Sequence, residues 1–412
     1  MEYGLIGEKL GHSFSKFIHE RIGKYDYHLI ELNKDEFDDF MMKRKFKAIN
    51  VTIPYKKDVM KYLDYISPEA KRINAVNTIV NKDGKLYGYN TDYYGFKEML
   101  RYNKINIKNK KVMILGTGGT SSTTSYVCKD LNCKSVVFVS RNKNENTLTY
   151  DEIESYSRDI DILINTTPVE MYPNNNNEIL SSLNSFSSLK SIIDVIYNPL
   201  NTNLVLKGND LKVKSINGLY MLIAQAVFAI ELFLDKKINK KIISSMYQEM
   251  IKEKENIVLI GMPSSGKSTI GKKLSFILNR TFIDIDDLIV KKINMLIKEY
   301  FEKYGEESFR NIESEIIQEI SKETSLVIST GGGSILRKEN IDALKRNGKL
   351  FFLDRAVNKL LVTSDRPLSS SKEKVNKLYQ VRYPLYLKAC DIKINANKSI
   401  DKVVKQIERR VK

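Results

Sequence analysis

Residues 261–269 read GMPSSGKST, which satisfies the spacing G-x-x-x-x-G-K-[ST] of a nucleotide phosphate loop. In such a loop the backbone N–H groups bind phosphate oxygens, the lysine neutralises β/γ-phosphate charge, and the next hydroxyl binds Mg²⁺. The apolar run at 256–260 predicts a strand before the loop and disfavours a chance match. We therefore predict a phosphate-binding loop made of Gly261, Ser264, Ser265, Gly266, Lys267, Ser268 and Thr269, with Ser268 as a Mg²⁺ ligand.

A second glycine-rich turn lies at 110–122, which read KKVMILGTGGTSS. Gly116 would permit a tight turn after a strand, and Gly118 would let a pyrophosphate approach the N–H groups of the following helix. Ser121 replaces the third glycine of the dinucleotide fingerprint and is small enough for close helix–strand packing. An ordinary strand–helix turn would satisfy the same partial pattern.

The segment after the next predicted strand, 135–139, bears on the choice of cofactor. Dinucleotide folds that use NAD usually place an acidic residue there for the ribose hydroxyls. This chain instead has Ser140, Arg141 and Asn142, and an arginine suits the 2′-phosphate of NADP. The alternative is that Arg141 is simply one more cation of a basic chain.

Polar side chains also cluster in the first hundred residues, in GEKLGHSFSKFIH, NVTIPYK, INAVNT and GYNTD. These segments place Ser13 and Ser15 in a turn, Thr52 and Lys56 just past a strand, and Asn77 and Asp92 at the ends of short β segments. Each cluster alone has a structural alternative. The serines and Asp92 would also serve as helix caps, and Lys56 as a solvated surface lysine.

Charged residues recur after the phosphate loop. Asp284 and Asp286 lie two residues apart at the end of a predicted strand, and therefore on one side of it. Arg310 and Glu313 are one helical turn apart, which an exposed i,i+3 pair would also explain. The later residues of this group are Gly331, Gly332 and Gly333 after the predicted strand 326–329, Arg366 in RPL, and Arg382 in RYPLY. A plain loop and a solvated helix arginine are the alternatives for the glycines and Arg382.

The elements that must position these residues alternate between short β-branched runs and helical patterns. That alternation predicts an α/β fold with parallel sheets. Two glycine-rich turns about 145 residues apart predict two separate nucleotide-type sheets. The charged, helix-compatible stretch 236–255 places a domain junction near residue 254, and 174–177 with 181–191 predict a surface loop with a weak helix.

Composition fits a globular protein of two or three domains: 412 residues, 42% hydrophobic and 28% charged. There are 67 basic and 50 acidic residues, so the net charge of +17 favours anionic partners without selecting among them. Three scattered cysteines predict a reducing compartment and no disulfide framework. The N-terminus does not resemble a secretory signal, and the apolar stretch 219–234 is interpreted as a buried helix. We therefore expect a cytoplasmic protein without a membrane or nucleic-acid partner.

The N-terminal clusters together resemble the shikimate dehydrogenase family. GLIGxxxxHSxS, NVTIPYK, INAVNT, GYNTDxxGF, GTGGTS, SRN, INTTPxxM, DVIYNPxxT and NGLxMLIxQA occur in family order across residues 4–226. The resemblance implies a two-lobed module at 1–253. Its substrate lobe would be about 1–102 plus 219–253, and its Rossmann-type NADP lobe about 103–218.

The same resemblance implies the roles of individual residues. Lys56 and Asp92 would form the catalytic pair that serves ketone reduction by hydride. The substrate ligands would be Ser13, Ser15, Thr52, Asn77, Tyr197 and Gln225. The NADP site would comprise Gly116, Gly118, Gly119, Ser140, Arg141 and Asn142, with Thr166, Gly218 and Met221 beside the nicotinamide.

The C-terminal set resembles the shikimate kinase family over residues 257–395, which implies a P-loop kinase module at 254–412 that binds ATP and Mg²⁺. Asp286 would bind the acceptor hydroxyls and act as base, and Asp284 would support Mg²⁺. Lys267 and Arg366 would serve phosphoryl transfer, Arg366 from a mobile lid. Substrate would be bound by Asp286, Arg310, Gly331, Gly332, Gly333 and Arg382.

Both modules depart from their families at particular positions. Glu170 stands where glycine is usual, and Ser121 to Ser125 where small alanines are usual. In the kinase module, relatives usually carry another arginine for adenine contact between positions 353 and 366, and LLVTSD offers none. Ser369 to Ser371 replace a second leucine after RPL. These departures concern cofactor affinity, adenine recognition and lid closure.

The two resemblances predict a bifunctional enzyme of the shikimate pathway. NADPH-dependent reduction of 3-dehydroshikimate would give shikimate, which MgATP would convert to shikimate 3-phosphate. One alternative is a quinate/shikimate dehydrogenase that uses NAD, fused to the kinase. The other is a metabolite-sensing regulator without turnover, in which the charge of +17 would serve nucleic-acid binding, although no helix-turn-helix or arginine-rich arm is evident.

Overall fold

Three β-sheets organise the residues that the computed structural model describes, which are 2–11, 14–173, 178–361 and 371–411. The chain divides into two units. One comprises Met1–Asn198 and Lys207–Gln248, and the other comprises Pro199–Leu206 and Glu249–Lys412. Two of the sheets belong to the first unit and one to the second, and the predicted α/β class is confirmed.

The first sheet is mixed and carries most of the polar clusters of the N-terminal segment. Its strands are β1 (Tyr3–Gly7), β2 (Tyr27–Glu31), β3 (Ala48–Val51), β4 (Tyr65–Ile66), β5 (Thr78–Lys82) and β6 (Lys85–Tyr89). The helices beside it are α1 (Phe14–Gly23), α2 (Lys34–Lys43), α3 (Pro68–Ile73) and α4 (Thr91–Tyr102), with a 3₁₀ turn at Asp58–Tyr62. The strand order is β2-β1-β3-β5-β6-β4, and β5 pairs antiparallel with both β3 and β6.

The second sheet is parallel throughout. Its strands are β7 (Lys111–Leu115), β8 (Ser135–Val139), β9 (Thr147–Leu148), β10 (Ile162–Asn165), β11 (Ser191–Asp194) and β12 (Lys214–Ile216). The helices are α5 (Gly119–Asp130), α6 (Ile153–Ser157) and α7 (Asn203–Asp210), with a 3₁₀ turn at Tyr150–Glu152. The order β12-β11-β10-β7-β8-β9 is the 3-2-1-4-5-6 arrangement of dinucleotide-binding folds, read from the opposite edge. A crevice therefore opens where β7 and β10 end side by side.

Two further helices complete the sequence up to the third sheet, namely α8 (Leu219–Leu234) and α9 (Lys241–Lys254). Helix α8 packs against α4 and α1, and most of its side chains are buried, because a helix that is apolar on all sides must be covered. The predicted buried helix is thus confirmed. Across the described residues, none of the helices has the length and apolar character needed to cross a membrane.

The third sheet is parallel and contains the strand before the phosphate loop at its centre. Its strands are β13 (Asn256–Ile260), β14 (Thr281–Asp284), β15 (Leu326–Ser329), β16 (Gly348–Asp354) and β17 (Ile392–Asn395), in the order β14-β15-β13-β16-β17. The helices are α10 (Lys267–Leu278), α11 (Ile285–Ile293), α12 (Ile297–Ile320), α13 (Lys338–Asn347), α14 (Lys372–Ala389) and α15 (Ile400–Val411). Short 3₁₀ turns lie at Ser334–Leu336 and Val357–Lys359.

One local expectation is wrong. Residues 178–190 contain turns but no helix, and β11 begins at Ser191, so the weak helix expected in 181–191 does not form. Leu183 and Phe186 are buried in this segment, so its backbone is held by side-chain packing and not by helical hydrogen bonds. The asparagines at 174–177 lie outside the described residues.

His19 of α1 is fully buried within an aromatic cluster of the first unit. Its ring stacks on Tyr27 with centroids 4.1 Å apart, its Nδ1 lies 2.7 Å from the Tyr25 hydroxyl, and Phe233 of α8 packs nearby. The buried Nε2 has no hydrogen-bond partner among the described residues. Burial lowers the pKa of His19 from 6.5 to about 3, so the ring is neutral in the folded protein at neutral pH.

We expect acid to destabilise the first unit through this histidine. The unfolded chain takes up a proton near pH 6.5, whereas the folded chain resists it until about pH 3. Stability is therefore lost as the pH falls between these values, by about 2 kcal/mol between pH 7 and pH 5. Urea unfolding followed by circular dichroism should show a shallower pH dependence for His19→Phe than for the wild type.

The exposed His28 offers a matched control, since His28→Gln should keep the wild-type pH dependence. Equal slopes for His19→Phe and the wild type would contradict the assignment.

Candidate active sites

The first unit contains a cavity of about 360 Å³ between the polar clusters of the first sheet and residues of the second. Of the residues predicted to act at this site, those that line the cavity are Ser15, Thr52, Lys56, Asn77, Asp92, Tyr197, Gly218, Met221 and Gln225. These residues are spread over about 210 positions of sequence, yet the fold brings them to one space.

Lys56 and Asp92 form an ion pair at this cavity, with Nζ 2.6 Å from Oδ2. The two side chains are 18% and 13% exposed, which is far less than a solvated surface pair would show. Asp92 does not cap its helix, because α4 begins at Thr91 and the Asn90 side chain accepts from the Tyr93 N–H. The interpretations of Lys56 as a surface lysine and Asp92 as a cap are therefore wrong.

A buried network of amides and hydroxyls lies behind this pair. Asn77 Oδ1 accepts from the Thr91 N–H at 2.7 Å and from the Thr78 hydroxyl at 3.0 Å. Asn50 Nδ2 donates to Thr78 Oγ1 at 3.0 Å, and the Tyr27 hydroxyl donates to Asn50 Oδ1 at 2.7 Å. Asn50 also lines the cavity, so the site contains a fixed polar residue that the sequence argument missed. An asparagine inside the otherwise apolar strand AINV was the available signal.

Ser15 and Tyr197 border the same cavity. Ser15 lies in the first turn of α1, which begins at Phe14, so its predicted place in a turn is wrong. The Phe14 and Tyr197 rings are 5.5 Å apart. Burial raises the pKa of Tyr197 above its usual value, so its hydroxyl stays protonated and can donate to a ligand.

The glycine turn after β7 has the geometry of an anion site. Gly116 has φ 103°, and a Cβ there would lie 3.0 Å from both Thr166 Oγ1 and Thr167 Cγ2. Ser121 Oγ lies 2.6 Å from Thr166 Oγ1, directly after β10, and α5 packs closely against β7 and β8. Gly118 precedes α5 as its N-cap and supplies no capping side chain, so the N–H groups of the first turn are free to bind a phosphate.

Arg141 is exposed just beyond β8, the strand beside β7. The Asn142 N–H donates to Ser140 Oγ at 3.3 Å, which shapes the turn that carries the guanidinium. Because neighbouring parallel strands end at one edge of the sheet, Arg141 lies at the same edge as the glycine turn. The predicted placement of Ser140, Arg141 and Asn142 after a strand is confirmed.

Gly218 is required by a close backbone approach, since a Cβ there would collide with the carbonyl group of Val195. Its N–H donates to the Ile196 carbonyl at 2.9 Å, and α8 begins at the next residue. Met221 therefore lies in the first turn of α8, where it faces the cavity.

The second unit contains a cavity of about 300 Å³ at the phosphate loop. The predicted residues that line it are Ser264, Gly266, Lys267, Ser268, Thr269, Asp284, Asp286 and Gly332. Gly261 and Gly266 have φ 151° and 96°, which bend the loop between β13 and α10. Lys267 Nζ donates to the carbonyls of Gly261 and Met262 at 2.9 and 3.0 Å, and Ser265 is buried inside the loop.

Ser268 and Asp284 bring two oxygen donors together at this cavity, since Ser268 Oγ donates to Asp284 Oδ2 at 2.6 Å. Hydroxyl and carboxylate oxygens are ligands that Mg²⁺ accepts, so the residues present fit that ion. Asp284 ends β14 and accepts from the Asp286 N–H at 3.1 Å. Asp286 lies in the first turn of α11 and not on the strand, so the prediction that both aspartates lie on one side of a strand is wrong. Both carboxylates nevertheless reach the cavity.

Arg310 and Glu313 form a buried pair and not an exposed one, with Nη1 2.6 Å from Oε2 and side chains 9% and 0% exposed. Glu313 also accepts from the Ser334 hydroxyl at 2.6 Å. The neighbouring carboxylates hold the pKa of Arg310 above its usual value, although burial acts in the opposite direction. The guanidinium is therefore fixed and charged beside the glycine triplet.

The glycine triplet is packed tightly against these groups. A Cβ at Gly331 would lie 2.7 Å from Glu313 Oε1 and 2.9 Å from Asp286 Oδ1, and one at Gly333 would collide with the Arg310 guanidinium. The Gly332 carbonyl accepts from Arg382 Nη1 at 2.9 Å. Arg382 is buried, which lowers its pKa, so the interpretations of a plain loop and a solvated arginine are both wrong.

Comparisons with known proteins agree with both cavities. The family model "Shikimate dehydrogenase substrate binding domain" matches residues 5–79, and the model "Shikimate kinase" matches residues 263–412. A shikimate dehydrogenase (NADP(+)) of Clostridium perfringens (strain 13 / Type A) is 41% identical over 266 residues, covering 60% of this chain and 97% of the relative. The chain belongs to the shikimate dehydrogenase family and continues into a shikimate kinase domain.

Solved structures support the first of these assignments. Shikimate dehydrogenase 1 from Peptoclostridium difficile has a TM-score of 0.56 at 38% identity and covers 61% of this chain and 98% of its own. A chorismate mutase/shikimate 5-dehydrogenase fusion protein from Clostridium acetobutylicum has a TM-score of 0.57 at 36% identity, covering 60% of this chain and 96% of its own. The family resemblance predicted from ordered motifs is confirmed.

Within the shikimate dehydrogenase module, the departure at Glu170 has a structural explanation. Glu170 has φ 75°, a left-handed conformation that glycine adopts most easily. Its side chain is buried, and Oε1 accepts from the Ile179 N–H at 3.0 Å. The carboxylate thus binds the loop of its own chain and does not point outward.

Two predicted residues, Ser13 and Arg366, lie outside the described residues. In the shikimate kinase domain, Arg355 lies between positions 353 and 366 and lines the phosphate-loop cavity, although it was not among the predicted residues. The signal was an arginine directly after the strand that pairs with β13.

Glu313→Ala should destabilise the shikimate kinase domain by about 3 kcal/mol or more, because it leaves the buried Arg310 charge without its partner. Denaturant unfolding measures this loss. The exposed Glu302 of α12 provides a control, and Glu302→Ala should change the free energy of unfolding by less than about 0.5 kcal/mol. A loss below 1 kcal/mol for Glu313→Ala would show that the pair is not needed to keep the site folded.

Proposed function

We propose that this chain catalyses two successive reactions of the shikimate pathway. The first module reduces 3-dehydroshikimate to shikimate with NADPH, and the second phosphorylates the 3-hydroxyl of shikimate with MgATP to give shikimate 3-phosphate. The proposal rests above all on the Lys56–Asp92 pair, whose ammonium and carboxylate meet at 2.6 Å in the cavity of the first unit. Family membership of both segments supports it.

Lys56 is the proton donor of the reduction. NADPH, when bound, supplies the hydride that adds to the carbonyl carbon. The Lys56 ammonium donates a proton to the carbonyl oxygen as negative charge develops there, and the ketone becomes a hydroxyl. Asp92 holds the ammonium at the cavity, and solvent returns the proton to Lys56 after each turnover.

The other polar residues of the first cavity bind the ring hydroxyls and the carboxylate of the substrate. A polyhydroxylated acid needs many partners, because each buried hydroxyl left unpaired costs about 1–3 kcal/mol. We assign this role to Ser13, Ser15, Thr52, Asn77, Tyr197 and Gln225. The NADP site comprises the turn of Gly116, Gly118 and Gly119, with Arg141 at the 2′-phosphate and Thr166, Gly218 and Met221 beside the nicotinamide.

Asp286 is the base of the phosphorylation. It accepts the proton of the 3-hydroxyl as that oxygen attacks the γ-phosphorus, while the bond to the β–γ bridging oxygen breaks and ADP leaves. Arg310 and Arg382 bind the substrate carboxylate, since both guanidiniums are buried against the glycine triplet. Ser268 and Asp284 would hold Mg²⁺, which neutralises phosphate charge, and Arg366 is assigned to the transferring phosphoryl group.

We further propose that the modules span residues 1–253 and 254–412, with the substrate lobe at about 1–102 plus 219–253 and the NADP lobe at about 103–218. Three free cysteines, Cys128, Cys133 and Cys390, support a reducing, cytoplasmic location. Small molecules are the expected partners of both sites, and no nucleic acid or membrane has a part in the proposed reactions.

The two activities should be separable by single substitutions. With 3-dehydroshikimate, NADPH and MgATP supplied, the wild type should consume NADPH and release ADP. Lys56→Ala should lower the first rate about 10³-fold yet release ADP at the normal rate from added shikimate, because it removes only the proton donor. Lys267→Ala should do the reverse.

The matched controls are the exposed neighbours in each module, and Lys57→Ala and Lys272→Ala should leave both rates within about twofold. Folded wild-type protein that catalyses neither reaction would refute the proposal and favour a regulator without turnover.

Arg141 should determine the preference for NADPH over NADH. Arg141→Ser removes the cation for the 2′-phosphate, so KM for NADPH should rise about 10- to 100-fold, with little change in KM for NADH. Steady-state kinetics with each cofactor measures this. Arg158→Ser, an exposed arginine before β10, is the control. An unchanged KM for NADPH in Arg141→Ser would show instead that Arg141 is simply one more cation of a basic chain.

A further inference from the structure

Arg355 lies at the phosphate loop, and none of the steps described above uses it. It directly follows β16, which pairs in parallel with β13 in the register Ile260↔Phe352. The phosphate loop begins directly after β13, and adjacent parallel strands end at the same edge of a sheet. A Cβ at Gly266 of the loop would lie 3.8 Å from Arg355 Nη1. The guanidinium is therefore next to the loop that would hold the nucleotide phosphates.

The backbone around Arg355 is held in place on both sides. The Asp354 carbonyl accepts from the Ala396 N–H at 2.9 Å, and the Ala356 N–H donates to Asn397 Oδ1 at 2.9 Å. A 3₁₀ turn, Val357–Lys359, follows at once. The side chain thus extends from a fixed point at the strand end, which suits a group that must meet a ligand in one geometry.

Two nearby acids of this region have other partners. The adjacent carboxylate, Asp354, pairs with Lys393 Nζ at 2.9 Å. Within the cavity, Asp284 accepts from the Ser268 hydroxyl and from the Asp286 N–H. Arg355 Nε is buried and has no hydrogen-bond partner in the described part of the chain. A buried donor without an acceptor costs about 1–3 kcal/mol, so an anionic ligand in the cavity would satisfy it.

The contacts of Lys267 suggest why a second cation would help to bind phosphates at this loop. Its Nζ donates to two carbonyls of its own loop, those of Gly261 and Met262. An arginine beside Gly266 would place another positive charge at the phosphates, with a planar fork that can bind two oxygens at once.

We propose that Arg355 binds the phosphate groups of the adenine nucleotide in the shikimate kinase domain, as a second cation beside Lys267. The proposal rests on the proposed function, because it takes the occupant of the loop to be MgATP before transfer and ADP after it. None of the family matches assigns this role to Arg355, and it provides nucleotide affinity that does not require an arginine in LLVTSD.

The test is calorimetric titration of the full chain with ADP and Mg²⁺ at low salt. Arg355→Ala and Arg355→Gln should each weaken ADP binding about 10- to 30-fold, because both remove the charge. Arg355→Lys should weaken ADP binding less than either of them, because it keeps the charge although it loses the planar fork. Arg409→Ala, an exposed arginine on α15, is the matched control and should bind ADP as the wild type does.

Several results would overturn the proposal. Binding within twofold of the wild type in both Arg355→Ala and Arg355→Gln would exclude a phosphate contact. If Arg355→Gln binds ADP as the wild type does and Arg355→Lys does not, a planar group matters at this position and the charge does not. If Arg355→Ala does not fold, as judged by circular dichroism, ADP binding is compared between Arg355→Lys and Arg355→Gln. Wild-type protein that does not bind ADP would refute the kinase function itself, and this inference with it.

Discussion

Parallel strands bring their carboxyl ends to one edge of a sheet, and both nucleotide sites of this chain depend on that geometry. In the second sheet, β7, β8 and β10 end at the glycine turn, Arg141 and Thr166. In the third sheet, β13, β14 and β16 end at the phosphate loop, Asp284 and Arg355. Residues far apart in sequence meet at these edges because the strands that carry them are neighbours.

The two sites place their charges in different environments, and the difference is consistent with the role proposed for each pair. The Lys56–Asp92 pair is partly exposed, as the proposed exchange of a proton with substrate and solvent requires. The Arg310–Glu313 pair is sealed from water and fixed by Ser334. A guanidinium that only binds a carboxylate gains from rigidity, because fewer orientations are lost when the ligand arrives.

The parts of the structure that could be predicted from sequence are those in which local chemistry dictates the backbone. The glycines at 116, 261 and 266 have positive φ, and the helices that begin after them form where the motifs indicate. What could not be predicted depends on contacts distant in sequence. The burial of Arg382 is set by packing against the Gly332 carbonyl, and the direction of Glu170 is set by the Ile179 N–H. Motif spacing carries no information about such partners.

The presence of both sites on one polypeptide has a consequence for the cell that makes it. Each copy of the chain that is synthesised carries one reductase site and one kinase site. Their numbers are therefore equal in every cell and under every level of gene expression. The ratio of the two activities that this chain supplies cannot be adjusted by producing more of one than of the other. It must be set by the turnover numbers of the two sites and by the supply of NADPH and ATP.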